Sequence, residues 1–454
     1  MQSQPARGSA IIAAIALMLC ACAQGAGGSP SAPAGPSAGP PGSGHPQIQH
    51  VVVVIQENRS VDNLFQGFPG ADTQSYGLDQ RGRKIALMPV RLEAAWDFEH
   101  DSTSFFNACD GQGSYPGTRC KMDGFDKENW RCGKAGYPPC PNANPPYSYV
   151  PGYETRPYFF IGEHYVFADE MFPSNFDSGS FVSHQYIIAA RASSTVNYPV
   201  GPWGCQGGSN STIPTVTQQR TVGGNVRPCF NNTTLGDELD GAGVSWRYYT
   251  STVSGNGGTW SAYQAIQHIY GGSDWSRNVI TPQTKFFSDV SKGALPAVSW
   301  ITPTCQNSDH PNCRSNTGPD WVASLVNAIG ESQYWDSTAI FIFWDDYGGW
   351  YDHVPPELVD YDGLGIRVPL LIVSAYAKEG CVSHVRYEHG SILKFVEDQW
   401  MLPRLSASDT RANPIASNCF DFSKPPRPFT KIPSLRGKQY FLQQPLDTRP
   451  PDTE

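Results

Sequence analysis

The sequence predicts an α/β fold, a three-layer α/β/α sandwich on a mainly parallel central sheet with disulfide-rich loop insertions. Three observations predict it. The first is a set of apolar runs with no polar face: Gln49-His-Val-Val-Val-Val-Ile55, Leu295-Pro-Ala-Val-Ser-Trp-Ile301, Thr338-Ala-Ile-Phe-Ile-Phe-Trp344 and Arg367-Val-Pro-Leu-Leu-Ile-Val-Ser374. Central parallel strands are buried on both faces and read this way. The second is their alternation with segments of helical period, Asp320-Trp-Val-Ala-Ser-Leu-Val-Asn-Ala-Ile329 and Ser391-Ile-Leu-Lys-Phe-Val-Glu-Asp-Gln-Trp400. Strand and helix in alternation build a sheet covered on both faces. The third is that the cysteines fall in Gly- and Pro-rich stretches between these runs.

The chain has 454 residues, 16% of them charged and 12% aromatic. That is apolar material for a large core, in one big α/β domain with insertions or in about two to three smaller ones. The formal charge of −9 argues against a nucleic-acid partner, because phosphate neutralisation requires a basic surface.

Residues 1–22 read as an export signal. Arg7 precedes the apolar segment Ala10-Ile-Ile-Ala-Ala-Ile-Ala-Leu-Met-Leu19, which is short for a membrane span. Leu19-Cys20-Ala21-Cys22 resembles a lipoprotein cleavage box, giving a membrane tether through lipidated Cys22; secretion without a lipid is the alternative. Residues 23–46 are a Gly/Pro/Ser-rich tether. Residues 47–420 are the expected catalytic domain, and 421–454 a Pro-rich tail wrapping the surface. Of the 12 cysteines, those outside the signal number ten, an even count that implies an oxidising compartment. Sequential pairing gives 109–120, 132–140, 205–229, 305–313 and 381–419. The expected location is the bacterial periplasm, the outer membrane as an anchored lipoprotein, or the exterior.

The first core run ends in Gln56-Glu57-Asn58-Arg59, and the run to Trp344 ends in Asp345-Asp346-Tyr-Gly348-Gly349. In open α/β sheets the carboxyl ends of strands are where ligands bind. Adjacent acids that lose hydration there need a cation or a proton, and the glycines permit a close backbone approach. A solvated Asp-Asp turn is the plain alternative. Ser178-Gly179-Ser180 precedes Phe181-Val-Ser183-His184-Gln-Tyr-Ile-Ile-Ala-Ala190. A helix starting near Ser180 would aim N–H groups at whatever that hydroxyl binds, and a simple helix cap is compatible with the same reading. Asn307-Ser-Asp309-His310 is a further polar strand end, Trp96-Asp97-Phe-Glu-His100 lies in a loop, and Asp352-His353 follows the glycines. Oxygen ligands, a hydroxyl and imidazoles together suit metal-assisted phosphoryl transfer.

These stretches resemble the bacterial phosphoesterase family that contains non-haemolytic-type phospholipases C and acid phosphatases, within the alkaline-phosphatase-like superfamily. The resemblance rests on Val52-Val-Val-Ile-Gln-Glu-Asn-Arg-Ser-Val-Asp62, Lys121-Met-Asp-Gly-Phe125, Gly201-Pro-Trp-Gly-Cys205, Trp344 to Pro356, Arg367 to Ser374 and Val382 to Glu397, in order from about His50 to Trp400. It implies one divalent metal ion of unknown identity held by Glu57, Asn58, Asp345 and Asp346. It implies a nucleophile at Ser180 forming a phospho-enzyme, with His100 and His310 at the phosphate or leaving group. His353 is a further catalytic expectation, an alternative being that the Asp-His pair orients its loop. The family carries Gly-Pro-Thr or Gly-Pro-Ser where this chain has Ser178-Gly-Ser180, so Ser178 and Ser183 stay open as alternatives. The implied activity is phospholipase C-like hydrolysis of a phosphoester, from a phospholipid or a small phosphate ester. Acid phosphatase activity and a non-catalytic phosphate-ester-binding lipoprotein are the alternatives. A sulfatase is disfavoured because no Cys/Ser-x-Pro-x-Arg motif stands at the nucleophile.

Overall fold

The computed structural model describes residues 44–111, 119–177, 179–253 and 260–449. The signal segment, Cys22, most of the tether and Ser178 lie outside the described residues. In chain order, the strands of the main sheet are β1 (His50–Gln56), β2 (Val166–Phe172), β3 (Trp246–Tyr249), β4 (Val279–Ile280), β5 (Val298–Ile301), β6 (Thr338–Trp344), β7 (Val368–Ser374), β8 (Cys381–Ser383) and β9 (Tyr387–Glu388). The four helices that matter below are α1 (Arg156–His164), α2 (Ser180–Ala189), α3 (Gly318–Gly330) and α4 (His389–Trp400).

The nine strands form one sheet in the order β4-β3-β5-β1-β6-β7-β2-β8, with β9 also paired to β2. Strand β1 lies at the centre, parallel to β5 on one side and to β6 on the other, with Val51–Val54 opposite Val298–Ile301 and His50–Gln56 opposite Thr338–Trp344. Every residue of β6, and all of β1 after His50, is buried, which is why these strands are apolar on both faces. Helices α1 and α3 pack together, and α2 packs with α4 in a second group, the two outer layers of the expected sandwich.

Strand β7 runs antiparallel to both β6 and β2, while all the other pairings in the sheet are parallel. The sheet is thus mainly parallel, as expected, with one reversed strand. The cause is the β6–β7 connection. It contains no crossover helix, and a parallel return would need one. The chain loops across the carboxyl edge and re-enters from it, so Arg367 and not Ser374 lies on the side where β1, β2, β5 and β6 end.

Helix α3 begins at Gly318 with Thr317 as its N-cap, so Asp320 falls inside the first turn. Pro319 supplies the pre-set φ that starts a helix. The Asp320 carboxylate accepts from the Leu435 N–H at 3.0 Å and from Arg436 at 2.9 Å, fastening the C-terminal tail. Helix α2 begins at Ser180, as expected, with Gly179 in the cap position.

Four of the five expected cysteine pairs are disulfides: 109–120, 132–140, 205–229 and 305–313. Cys381 opens β8, and Cys419 ends a short helix packed against that strand; both are buried. Among the described residues no helix is long and apolar enough to cross a membrane.

Candidate active site

The carboxyl edge of the central strands gathers the site. After Gln56, the chain turns through Glu57 and Asn58, whose φ of +59° is a left-handed conformation that Asn tolerates better than most residues. This turn is locked to its neighbours. Glu57 N–H donates to the Ser308 carbonyl at 2.8 Å, Asn58 N–H to Asp345 Oδ1 at 3.1 Å, and Arg59 N–H to the Asp346 carbonyl at 3.0 Å. The strand end carrying the two aspartates is thereby sewn to the one carrying Glu57 and Asn58.

Gly348 and Gly349 make this approach possible. Gly348 has φ +61°, and a Cβ there would lie 2.6 Å from both Cβ and O of Asn58. Gly349 has φ +77°, and a Cβ there would collide with Phe98, two residues before His100. The glycine pair lets the Asp345–Asp346 turn sit directly against both segments.

Glu57, Asn58, Ser180, His184, Asp345 and Asp346 are all fully buried. Glu57, His184 and Asp345 offer ligand atoms within 4.8 Å of one another, a geometry able to hold a metal ion. His184 Nε2 stands 3.0 Å from Glu57 Oε1 and 3.6 Å from Asp345 Oδ2. Asp346 faces a different side, with Oδ1 accepting from the Gly348 N–H at 2.7 Å and lying 4.0 Å from His100 Nε2. Of the four expected metal ligands, Glu57 and Asp345 meet directly, while Asn58 and Asp346 join them through the turn.

His184 is the residue that the sequence reading passed over. It lies four residues after Ser180 on α2, one helical turn away on the same face. That i, i+4 spacing was the available signal. The burial of all ten residues of α2 hid it, because a His on a wholly apolar-looking helix reads as core.

The electrostatics show the strain of gathering acids here. For Asp345, burial pushes the pKa up, but the imidazole of His184 facing it at 3.6 Å outweighs this and the net shift is downward. For Asp346, burial and the neighbouring Asp345 charge both push it well up. Buried side-chain atoms without a hydrogen bond include Asn58 Oδ1, Asp345 Oδ2, Asp346 Oδ2 and Ser180 Oγ. Several buried acceptors left unsatisfied in one place are costly. A divalent cation answers exactly this kind of oxygen-rich set, so the residues present fit a metal ion.

The two expected phosphate-side histidines come together. Their ring centroids lie 6.5 Å apart, and both rings are buried. His100 Nδ1 donates to the Phe98 carbonyl at 2.9 Å, so in the neutral ring Nε2 accepts from Asn58 Nδ2 at 2.8 Å. His310 Nδ1 donates to the Pro311 carbonyl and lies 3.7 Å from Asp97 Oδ2, with Trp260 stacked on the ring at 5.6 Å. In both rings the Nδ1 bond fixes the tautomer and turns Nε2 away from the bonded carbonyl.

His353 is not part of this group. Its Nδ1 pairs with Asp62 at 2.6 Å and its Nε2 with Asp72 at 3.1 Å. Burial works to lower its pKa, but the Asp62 hydrogen bond and the charges of Asp352 and Asp62 prevail and raise it to about 8. Asp352 binds Arg367, with Nε at 3.0 Å from Oδ1. The Asp-His pair thus anchors the loop, the alternative already open for it. Asp309 likewise serves the framework: it accepts from the Tyr158 hydroxyl at 2.6 Å, and its carbonyl takes two bonds from Arg59. Of the other serines, Ser183 Oγ lies 3.4 Å from Asn175 Nδ2.

Buried acids, imidazoles and a helix-start hydroxyl are thus gathered along one sheet edge. The chain belongs to the Phosphoesterase family, whose model matches residues 48–403, and it is an enzyme that hydrolyses phosphoester bonds. Phospholipase C A of Mycobacterium tuberculosis is 25% identical over 84% of this chain and 78% of its own length. Non-hemolytic phospholipase C of Burkholderia pseudomallei is 25% identical over 86% of this chain and 61% of its own length. Among solved structures, an alkaline phosphatase superfamily protein from Vibrio parahaemolyticus covers 83% of this chain and 73% of its own, with 9% identity and a TM-score of 0.40. That likeness is too low to carry residues across.

Proposed function

We propose that this chain is an exported, phospholipase C-like phosphoester hydrolase that works through Ser180 and one divalent metal ion held by Glu57, Asn58, Asp345 and Asp346. The observation that carries the reading is the buried convergence of those carboxylates with the start of α2. Ser180 opens that helix, and His184, one turn on, touches Glu57 and Asp345. When bound, the metal ion would lower the pKa of a nearby hydroxyl and neutralise phosphate charge.

The chain's own residues supply the rest. Ser180 sits at a helix start, where free N–H groups favour an anion. Its Oγ attacks phosphorus, and the ester oxygen leaves with a proton as the free alcohol. The phosphoryl group left on Ser180, which still carries the headgroup when the substrate is a diester, is then hydrolysed by water, which returns the serine and releases the phosphorylated headgroup or phosphate. In their imidazolium forms His100 and His310 can each offer an Nε2–H to the phosphate oxygens or the leaving oxygen, since Nδ1 of each is engaged with a carbonyl; for His100 this replaces the bond that the neutral ring accepts from Asn58 Nδ2. Burial of the whole set strengthens each of these interactions. Four disulfides support an oxidising compartment, with Cys22 as the proposed tether site.

The test uses purified protein lacking residues 1–22, assayed on a chromogenic phosphomonoester and on phosphatidylcholine vesicles, each with and without chelator. Diester cleavage that chelator abolishes and Ser180→Ala eliminates is expected, along with a covalent adduct on Ser180 after acid quench, phosphoserine from the monoester and its headgroup ester from the diester. Monoester cleavage alone moves the protein to acid phosphatase activity. Full activity in Ser180→Ala sinks the nucleophile.

A further inference from the structure

The wider molecule offers other clusters, but the strongest unassigned group is the buried imidazole of His184. We infer that His184 binds the metal ion through Nε2, completing a ligand set of one nitrogen and several carboxylate or amide oxygens. This rests on the metal-dependent reading above and extends it to a residue outside the four ligands proposed there.

The argument begins with what holds the ring. His184 is fully buried, and its Nδ1 has no hydrogen bond. The ring is therefore directed by Nε2 alone, which lies 3.0 Å from Glu57 Oε1 and 3.6 Å from Asp345 Oδ2. Two carboxylate oxygens facing one ring nitrogen need something positive among them. A proton on Nε2 is the simplest candidate. It makes one good bond, to Glu57, and leaves Asp345 Oδ2, Asp346 Oδ2 and Asn58 Oδ1 without a hydrogen bond. The buried guanidinium of Arg59 does not help: it directs its bonds to the Asp309 and Leu92 carbonyls and to Asn63. One proton is too little charge for this many buried acceptors, whereas a divalent ion answers them together.

Two consequences follow. A mixed imidazole and carboxylate set favours a first-row transition ion or zinc over calcium or magnesium, which prefer oxygen alone. Because His184 and Ser180 share one face of α2, the metal bond would also fix the axial position and rotation of the helix that presents the nucleophile.

The experiment is pulsed EPR of protein stripped of metal and reloaded with Mn(II), made with 14N- and with 15N-histidine. A directly bound histidine nitrogen is expected in wild type and absent in His184→Gln, while His100→Gln and His310→Gln keep it. Zn(II) affinity by calorimetry is expected to fall about tenfold or more in His184→Gln, at least as far as for loss of an outer-shell partner. Stoichiometric Mn(II) with oxygen ligands alone overturns the inference and leaves the metal reading standing. Failure to bind either ion overturns the metal reading itself. If His184→Gln does not fold, His100→Gln, His310→Gln, His353→Gln and His389→Gln are compared: a signal kept in all four supports His184, and its loss in any one overturns the assignment.

Discussion

Replacing Arg367 with Met tests how the loop bearing Asp345 and Asp346 is held. The guanidinium is fully buried; its Nε lies 3.0 Å from Asp352 Oδ1 and its NH2 3.3 Å from Oδ2, while NH1 donates to the Asp169 carbonyl at 3.0 Å. Asp62 lies 3.9 Å from the same group and Glu170 3.8 Å. Burial already raises Asp352 to about 6, with Arg367 opposing the rise and Asp62 adding to it. Methionine keeps most of the stem volume but leaves these acids without their cation. Breaking a buried ion pair on one side costs about 3–5 kcal/mol, so Arg367→Met is expected to lose that much. The pair Arg367→Met/Asp352→Asn removes the stranded charge and is expected to recover at least half of it. The assay is urea unfolding followed by tryptophan fluorescence at pH 7 without reductant, with reversibility checked by dilution. A single variant within about 1 kcal/mol of wild type, which is the worth of a surface pair, would refute the reasoning. So would a double variant no more stable than the single one.

Three further outcomes are expected. His353 has its pKa raised from 6.5 to about 8 in the fold, so its contribution is fully present below pH 6.5 and is lost as pH rises through about 8. That shift is worth about 2 kcal/mol, and unfolding free energies measured from pH 6 to 9 should fall by about that much more in wild type than in His353→Gln. Gly348→Ala forces a side chain onto Asn58 at a positive φ; it should cost about 2–4 kcal/mol from left-handed strain plus overpacking, read as a lowered urea midpoint. Asp346→Asn should act with opposite signs: the chelated protein gains thermal stability, because burial and Asp345 penalise the carboxylate, while metal affinity measured by calorimetry falls. Unchanged affinity would remove Asp346 from the site.

Much of the framework is written in local sequence. The runs at His50–Gln56 and Thr338–Trp344 announce central strands, because burial on both faces leaves no polar position. Glu57, Asn58, Asp345 and Asp346 could be placed at strand ends for the same reason, and Gly179-Ser180 at a helix start. The short disulfide loops follow from spacing, since near neighbours pair with little loop closure. His353 resisted this reading. The family resemblance gave it as a further catalytic expectation, with loop orientation as the alternative, and its partners Asp62 and Asp72 come from nearly three hundred residues upstream.

The sequence by itself determined the layered α/β plan and the acids that crowd one sheet edge, because each is carried by a contiguous run whose period or spacing reports its own burial, and its ordered motifs carried the resemblance to the family. Tertiary structure decided the rest. It reversed β7, since the direction of a strand depends on the path of its connection and not on its own residues. It set His184 between Glu57 and Asp345, and it paired Arg367 with Asp352. Those outcomes depend on which strand ends and helices meet, a choice made by the packing of the whole core and written in no single segment.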